Sequence, residues 1–463
     1  MRSSSRIALP AALISVLACA PSDEAPRTAD HHAGAPGIGD SDFPKAGNGG
    51  YDVSHYWLVL DYVPATKRLT GETTIDATAT QGLSSFNLDL SGFEVSRVSV
   101  NGTPAKFERA GDELTVRPGT PLGPGSRFSV KVTYAGVPKP AKDTANLGTY
   151  GFIPTSDGAF VACEPDGAKT WFPGNDHPAD KATFDFSITV PAGLTALANG
   201  EMVGKPATSN GKTTYRWREG HPMVTYLATA TLGQFTLREG ATAGGIKNLA
   251  AVDPKFRSSL DTVYNLSAEI TDYWTTVFGP YPFSSTGGIV DNHSAGYALE
   301  NQTKPLYGGF APEEGIISHE LAHQWFGNSL SLRRWRDLWL NEGFATYAEW
   351  LWSEHKGKST AEAMFNTYKA RPEDHAMWKY PPGRARPRDL FNESVYTRGA
   401  MTLHALRKAI GDATFFHLIK TWTRDHRYGH VTTEEFVDLA ERLSGKQLDS
   451  LFDAWLFQAK RPA

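Results

Sequence analysis

The stretch Gly315-Ile316-Ile317-Ser318-His319-Glu320-Leu321-Ala322-His323-Gln324-Trp325-Phe326-Gly327 decides how the rest of the chain is read. No Pro or Gly interrupts it from Ile316 to Phe326, which predicts a helix over that span. Positions four apart sit one above the other on a helix. His319 and His323 therefore offer two imidazole nitrogens to one metal ion, with Glu320 beside the first. Two neutral ligands on a stiff element, plus an acid to handle the proton of a water, is the pattern of hydrolytic metal sites. Taken alone, the motif also suits a helix that carries two ordinary histidines.

The following segment supplies a third ligand. Hydrolytic zinc sites use three protein ligands and keep a fourth position open. Asp337-Leu338-Trp339-Leu340-Asn341-Glu342-Gly343-Phe344-Ala345-Thr346-Tyr347-Ala348-Glu349-Trp350 reads as a second helix with apolar positions around an acid. Glu342 lies nineteen positions after His323, enough for a short connection and an antiparallel return. The competing reading is a surface acid paired with Arg333, Arg334 or Arg336.

His-Glu-x-x-His, eighteen residues, then Glu within Trp-Leu-Asn-Glu-Gly-Phe-Ala resembles the zinc aminopeptidases related to aminopeptidase N and leukotriene hydrolase, gluzincin metallopeptidases. Further matches run from about Tyr51 to about Leu456. The resemblance implies one Zn²⁺ on His319, His323 and Glu342, with Glu320 as the base for a metal-activated water. It implies that Tyr396, in Glu393-Ser394-Val395-Tyr396-Thr397-Arg398-Gly399-Ala400, donates to the oxyanion. On spacing alone Tyr396 reads as a buried aromatic at a helix start, and Arg398 stands where Lys is common. Gly296-Tyr297-Ala298-Leu299-Glu300-Asn301 resembles the family's Gly-x-Met-Glu-Asn motif, with Tyr297 for Gly and Leu299 for Met. Glu300 and Asn301 are retained, and the resemblance makes them substrate-binding, with Glu300 on the free α-ammonium. Glu164, in Cys163-Glu164-Pro165-Asp166-Gly167-Ala168, matches the residue that reaches the same amine from the first domain. Spacing alone leaves Glu164 equally readable as a loop acid.

Composition agrees with an enzyme of two domains. A chain of 463 residues has ample core for both. A formal net charge of −4 without a long basic run gives no case for nucleic acid. The only cysteines are Cys19 and Cys163, and Cys19 lies in an export signal, so no disulfide framework is expected. Residues 1–18 carry Arg2 and Arg6, an apolar run and small residues, the pattern of a signal peptide too short to span a membrane. Val16-Leu17-Ala18-Cys19 resembles the lipobox of bacterial lipoproteins. The expected protein is exported and lipid-anchored through Cys19 at the cell envelope, on its periplasmic or outer face, and otherwise secreted.

Residues 19–50 lack periodicity and are expected to form a disordered tether. From Tyr51 the pattern turns to period two, as in Ile75, Ala77 and Ala79 or Phe184, Phe186, Ile188 and Val190. Asn101-Gly102 is a hairpin turn signal. These features predict an N-terminal β-sandwich over 51–240, ended by Gly240, Gly244 and Gly245. Residues 241–463 are then the thermolysin-like catalytic domain of mixed sheet plus helices, an α+β architecture overall. Thr432 to Glu435 predicts a capped helix that ends at Gly445. The long helical domain that follows in larger relatives is expected to be missing, as in a short bacterial form. The expected substrates are peptides with a free N-terminus. A zinc endopeptidase, or a peptide-binding protein without catalysis, is the alternative.

Overall fold

The computed structural model describes residue 1, residues 30–142 and residues 148–463. Residues 2–18 of the expected signal peptide, and Cys19, therefore lie outside the described residues. No helix among the described residues is long and apolar enough to cross a membrane.

The fold is α+β, with sheets first and helices after. Strands Tyr51–Val63, Arg68–Ala79, Arg127–Gly136, Ala182–Pro191 and Lys212–Met223 form the centre of a nine-stranded sheet. The alternation in Tyr51–Val63 buries Tyr56, Leu58, Leu60 and Tyr62 and leaves Trp57 and Val59 in solvent, as period two demands. Asn101 and Gly102 turn the chain from Glu94–Val100 into Thr103–Pro104 with φ of 50° and 77°. Both positive values match a two-residue hairpin turn. Two smaller sheets complete the domain, one of them ordering Thr149–Pro154, Ala159–Ala162, Ala230–Gly233 and Thr195–Ala198 side by side.

The domain division lies earlier than the glycines suggest. Strand Thr236–Ala241 pairs with Lys247–Val252, the second strand of the catalytic sheet. Gly240, Gly244 and Gly245 belong to that hairpin and its turn, so the boundary falls between Gly233 and Thr236. The catalytic sheet continues through Ser285–Asp291, Leu306–Gly308 and Ala298–Leu299. Helix Leu260–Phe278 meets it through Ser267 and Thr271, which bond to Gly287 and Thr286, and turns Trp274 and Phe278 toward the first site helix and the turns after it.

Residues 30–50 form a strap, which corrects the tether expectation for this part of 19–50. His32–Ala33 adds a parallel strand to Leu83–Asp89. Asp40 is buried, accepts from the Trp335 backbone N–H at 2.9 Å and faces His177 Nε2 at 3.2 Å. Arg336 donates to Asp42 at 2.7 Å, and Phe43 packs on Trp335. Burial disfavours the Asp40 carboxylate, yet these donors outweigh it and bring its pKa down to about 2. The strap has little apolar periodicity because polar side chains with specific, distant partners fix it. It joins the first domain to the turn that leads into the second site helix.

Candidate active site

The first site helix spans Glu314–Ala322, with His323 at its C-cap. It is shorter than the sequence suggests: turns carry the chain from His323 through Gly327, whose φ of +117° only glycine adopts without strain. The His323 N–H still bonds to the His319 carbonyl, so both rings stay on one face, 4.8 Å apart. The second helix, Trp339–His355, carries Glu342 in its first turn. Gly343 explains its placement. A Cβ there would lie 2.9 Å from the Gly399 carbonyl carbon, so two glycines let this helix approach the segment that bears Tyr396.

The imidazole nitrogens are already sorted for a metal. His319 Nδ1 lies 2.7 Å from Glu349 Oε1, and His323 Nδ1 lies 3.0 Å from the Phe326 carbonyl. Each acceptor fixes the proton on Nδ1 and leaves the Nε2 lone pair free. Those two Nε2 atoms lie 3.2 and 3.4 Å from Glu342 Oε2. A tetrahedron with ligand bonds of about 2.0–2.1 Å has edges of about 3.3 Å, so the three donors fit a zinc ion. One donor atom from each lies within 4.8 Å of the others. In the chain by itself, burial opposes the Glu342 charge, but His323 and His319 outweigh it and bring its pKa to about 2. Burial likewise opposes the His323 cation, and Glu342 and Glu300 lift its pKa to about 9.

A cleft of about 290 Å³ opens over this set, and Glu164, Tyr297, Glu300, Glu320 and Tyr396 join its lining. Burial and neighbouring carboxylates push Glu164 well up, and Glu300 upward. Burial raises Glu320 to about 8 against the opposing pull of His319 and His323. Among the described residues none donates a hydrogen bond to the Glu320 carboxylate. Tyr396 is pushed well above its usual value by burial, then by Glu342 and Glu164, which keeps its O–H a donor. Its ring lies 6.2 Å from that of His319.

Asn301 departs from expectation. It is fully buried, points its amide at the Val161 carbonyl at 3.5 Å and does not line the cleft. Glu300 lines the cleft, and the Asn301 amide ties the segment to the first domain.

Four partners escaped the sequence reading. Glu349 lies seven residues after Glu342, two turns on along the same helix face, a signal that was present. Tyr226 donates to Glu300 Oε1 at 3.1 Å across 74 positions of sequence, which no local pattern marks. Gln324 and Asn328 hold the Glu300 carbonyl at 3.2 and 2.8 Å, fixing the Glu300 segment to the metal helix. Arg398 donates to the carbonyls of Trp378, Ala454 and Gln458, so its role is to brace the Tyr396 turn.

Fold and site together define a protein of two domains with a donor set that fits one zinc ion. Two profiles of one family match: the peptidase M1 N-terminal domain over residues 52–227, and the peptidase family M1 domain over residues 312–455. The chain belongs to peptidase family M1. It is similar to the M1 zinc metallopeptidase of Deinococcus radiodurans, with a TM-score of 0.85, 29% identity and coverage of 92% of this chain and 99% of that one. A mutant of that enzyme, bound to a Tyr-Ser-Ala substrate, gives 0.82 and 28%, again covering 92% and 99%. Aminopeptidase M1 of Arabidopsis thaliana is 28% identical over 330 residues, 66% of this chain. The chain spans only 37% of that relative's length.

Proposed function

We propose that the chain is a zinc aminopeptidase that hydrolyses the N-terminal peptide bond of peptides. The observation that carries this reading is the pair Glu300 and Glu164, two buried carboxylates in the metal cleft, where among the described residues no Lys or Arg joins the lining. Their charge needs a cation, and a peptide brings one at its free α-amine. The aminopeptidase name of the Arabidopsis relative and the tripeptide bound to the Deinococcus mutant support the same substrate class.

His319, His323 and Glu342 would hold the zinc, which when bound supplies Lewis-acid polarisation of a carbonyl and a lowered pKa of water. Glu320 takes the proton that the attacking water loses and returns it to the leaving amine nitrogen. Tyr396 donates from its phenol to the carbonyl oxygen as negative charge develops there, a contribution of about 3 kcal/mol for one such donor. Glu300 accepts from the α-ammonium, with its carboxylate held by Tyr226 and its backbone by Gln324 and Asn328. Glu164 adds a second carboxylate from the first domain. The hydrogen bonds from Gln324 and Asn328, in the turns after the metal helix, thus help to set where the amine lies relative to the metal.

The test is product analysis. Tripeptides incubated with the enzyme should release their first residue, then their second, and a strong chelator should stop both. A dipeptide product cut from the C-terminal side would place the chemistry elsewhere. The export signal and Val16-Leu17-Ala18-Cys19 support a further proposal, anchoring in the cell envelope through an acylated Cys19. Mass spectrometry of freshly isolated protein should find the lipid on Cys19, and an unmodified N-terminus downstream of it would exclude the anchor.

A further inference from the structure

Glu164, Glu300, Glu320, Glu342 and Glu349 all line the cleft, and among the described residues no Lys or Arg does. An unpartnered carboxylate in such a buried space is costly.

Three of these acids converge. One carboxylate oxygen from each of Glu164, Glu300 and Glu342 lies within 4.8 Å of the others. Glu164 is 3% exposed, and its Oε1 has no hydrogen-bond partner among the described residues although it lines the cleft. We propose that Glu164, Glu300 and Glu342 bind a second divalent cation when no peptide amine is present, with Glu342 shared between that cation and the zinc.

This donor set is all oxygen. It suits Mn²⁺, Ca²⁺ or Mg²⁺, whereas the two imidazoles beside it favour zinc. Mn²⁺ stands low in the affinity order for nitrogen-containing sites, so it fills the carboxylate site without displacing zinc from the histidines. The cation and the substrate amine use the same two carboxylates and exclude one another. Divalent ions in excess thus act as competitive inhibitors, and the free enzyme responds to the divalent content of its surroundings. The inference rests on the reading of Glu300 and Glu164 as the ammonium subsite.

The experiment titrates zinc-loaded wild-type protein with Mn²⁺, reads free Mn²⁺ by electron paramagnetic resonance and follows zinc by elemental analysis. One Mn²⁺ per chain should bind with zinc retained. Glu164→Gln should weaken it at least about tenfold, the scale on which even an outer partner matters to a metal. Glu300→Gln is the second variant, with the same expectation, should the first be poorly folded. L-leucinamide, an α-ammonium without a carboxylate, should displace the Mn²⁺. Mn²⁺ uptake that is absent at millimolar concentration, that occurs only as zinc leaves, or that both variants retain unchanged, overturns the second site. If Mn²⁺ binds and depends on both glutamates but L-leucinamide does not displace it, the cation site stands and the ammonium reading fails. If L-leucinamide binds in a Glu300-dependent way and Mn²⁺ does not bind, the reverse holds.

Discussion

Glu349 offers the sharpest test of how the site is held. Its Oε1 lies 2.7 Å from His319 Nδ1, a short contact that holds the imidazole proton on that nitrogen. Removing the acceptor leaves His319 free to rotate and to present either nitrogen. Loss of such an outer partner weakens a bound metal by about 10- to 100-fold, or about 1.4–2.7 kcal/mol. The Glu349 side chain is 37% exposed, so water replaces part of the lost bond and the lower end of that range applies. Glu349→Ala should therefore lose about tenfold in zinc affinity. Glu349→Gln, which retains an acceptor oxygen without the charge, should fall between Ala and wild type. His323 is the internal control, because its Nδ1 faces the neutral Phe326 carbonyl and no substitution at 349 touches it. The assay is zinc competition against a chelator of known affinity, with circular dichroism to confirm folding. Equal zinc affinity in wild type, Glu349→Gln and Glu349→Ala would refute the idea that this carboxylate orients the ligand.

Three further outcomes are expected. Gly343→Ala puts a methyl 2.9 Å from backbone at Gly399, which cannot yield as a side chain does, and should cost about 1–3 kcal/mol in chemical denaturation while lowering kcat as Tyr396 shifts. Tyr226→Phe removes the donor to Glu300 and should raise KM for free-amine substrates about tenfold while leaving zinc content unchanged; an unaltered KM would deny Tyr226 a part in holding Glu300. Asp40→Asn should destabilise the strap at neutral pH. Because the folded pKa is depressed to about 2, the wild-type advantage is fully present above the ordinary aspartate value near 3.8 and disappears as pH falls through about 2. Denaturation curves for both proteins across that interval check the sign.

The metal site was legible because its spacing is local. His319 and His323 need only one helix, and the acid and apolar pattern around Glu342 needs only a second. The hairpin at Asn101-Gly102 and the capping box at Thr432 and Glu435, closed by Gly445 at φ 66°, were legible for the same reason, since each depends on neighbours a few residues apart. What was missed is either polar or distant. The strap from residue 30 to 50 has no apolar stripe, because Asp40 and Asn48 are fixed by single bonds to Trp335, Asp89 and Asn175 far along the chain. Tyr226 reaches Glu300 only after two domains have packed. The motif names Glu300 and Asn301 as a pair, and sequence alone does not show that only the first lines the cleft. The glycines near residue 240 were read as the end of the first domain when they belong to a hairpin, and composition cannot tell those two uses of glycine apart.

The central claim is that buried carboxylates in the metal cleft select a peptide's free amine. The most direct measurement is kcat/KM for one peptide with a free N-terminus beside the same peptide N-acetylated. Acetylation removes the cation that Glu300 and Glu164 receive, a loss on the order of 3–5 kcal/mol, so the ratio should be at least about a hundredfold in favour of the free amine. Glu300→Gln should shrink that ratio mainly by slowing the free-amine substrate. Equal rates on the two peptides, with internal bonds of the blocked one cut, would contradict the account and leave a zinc endopeptidase in its place.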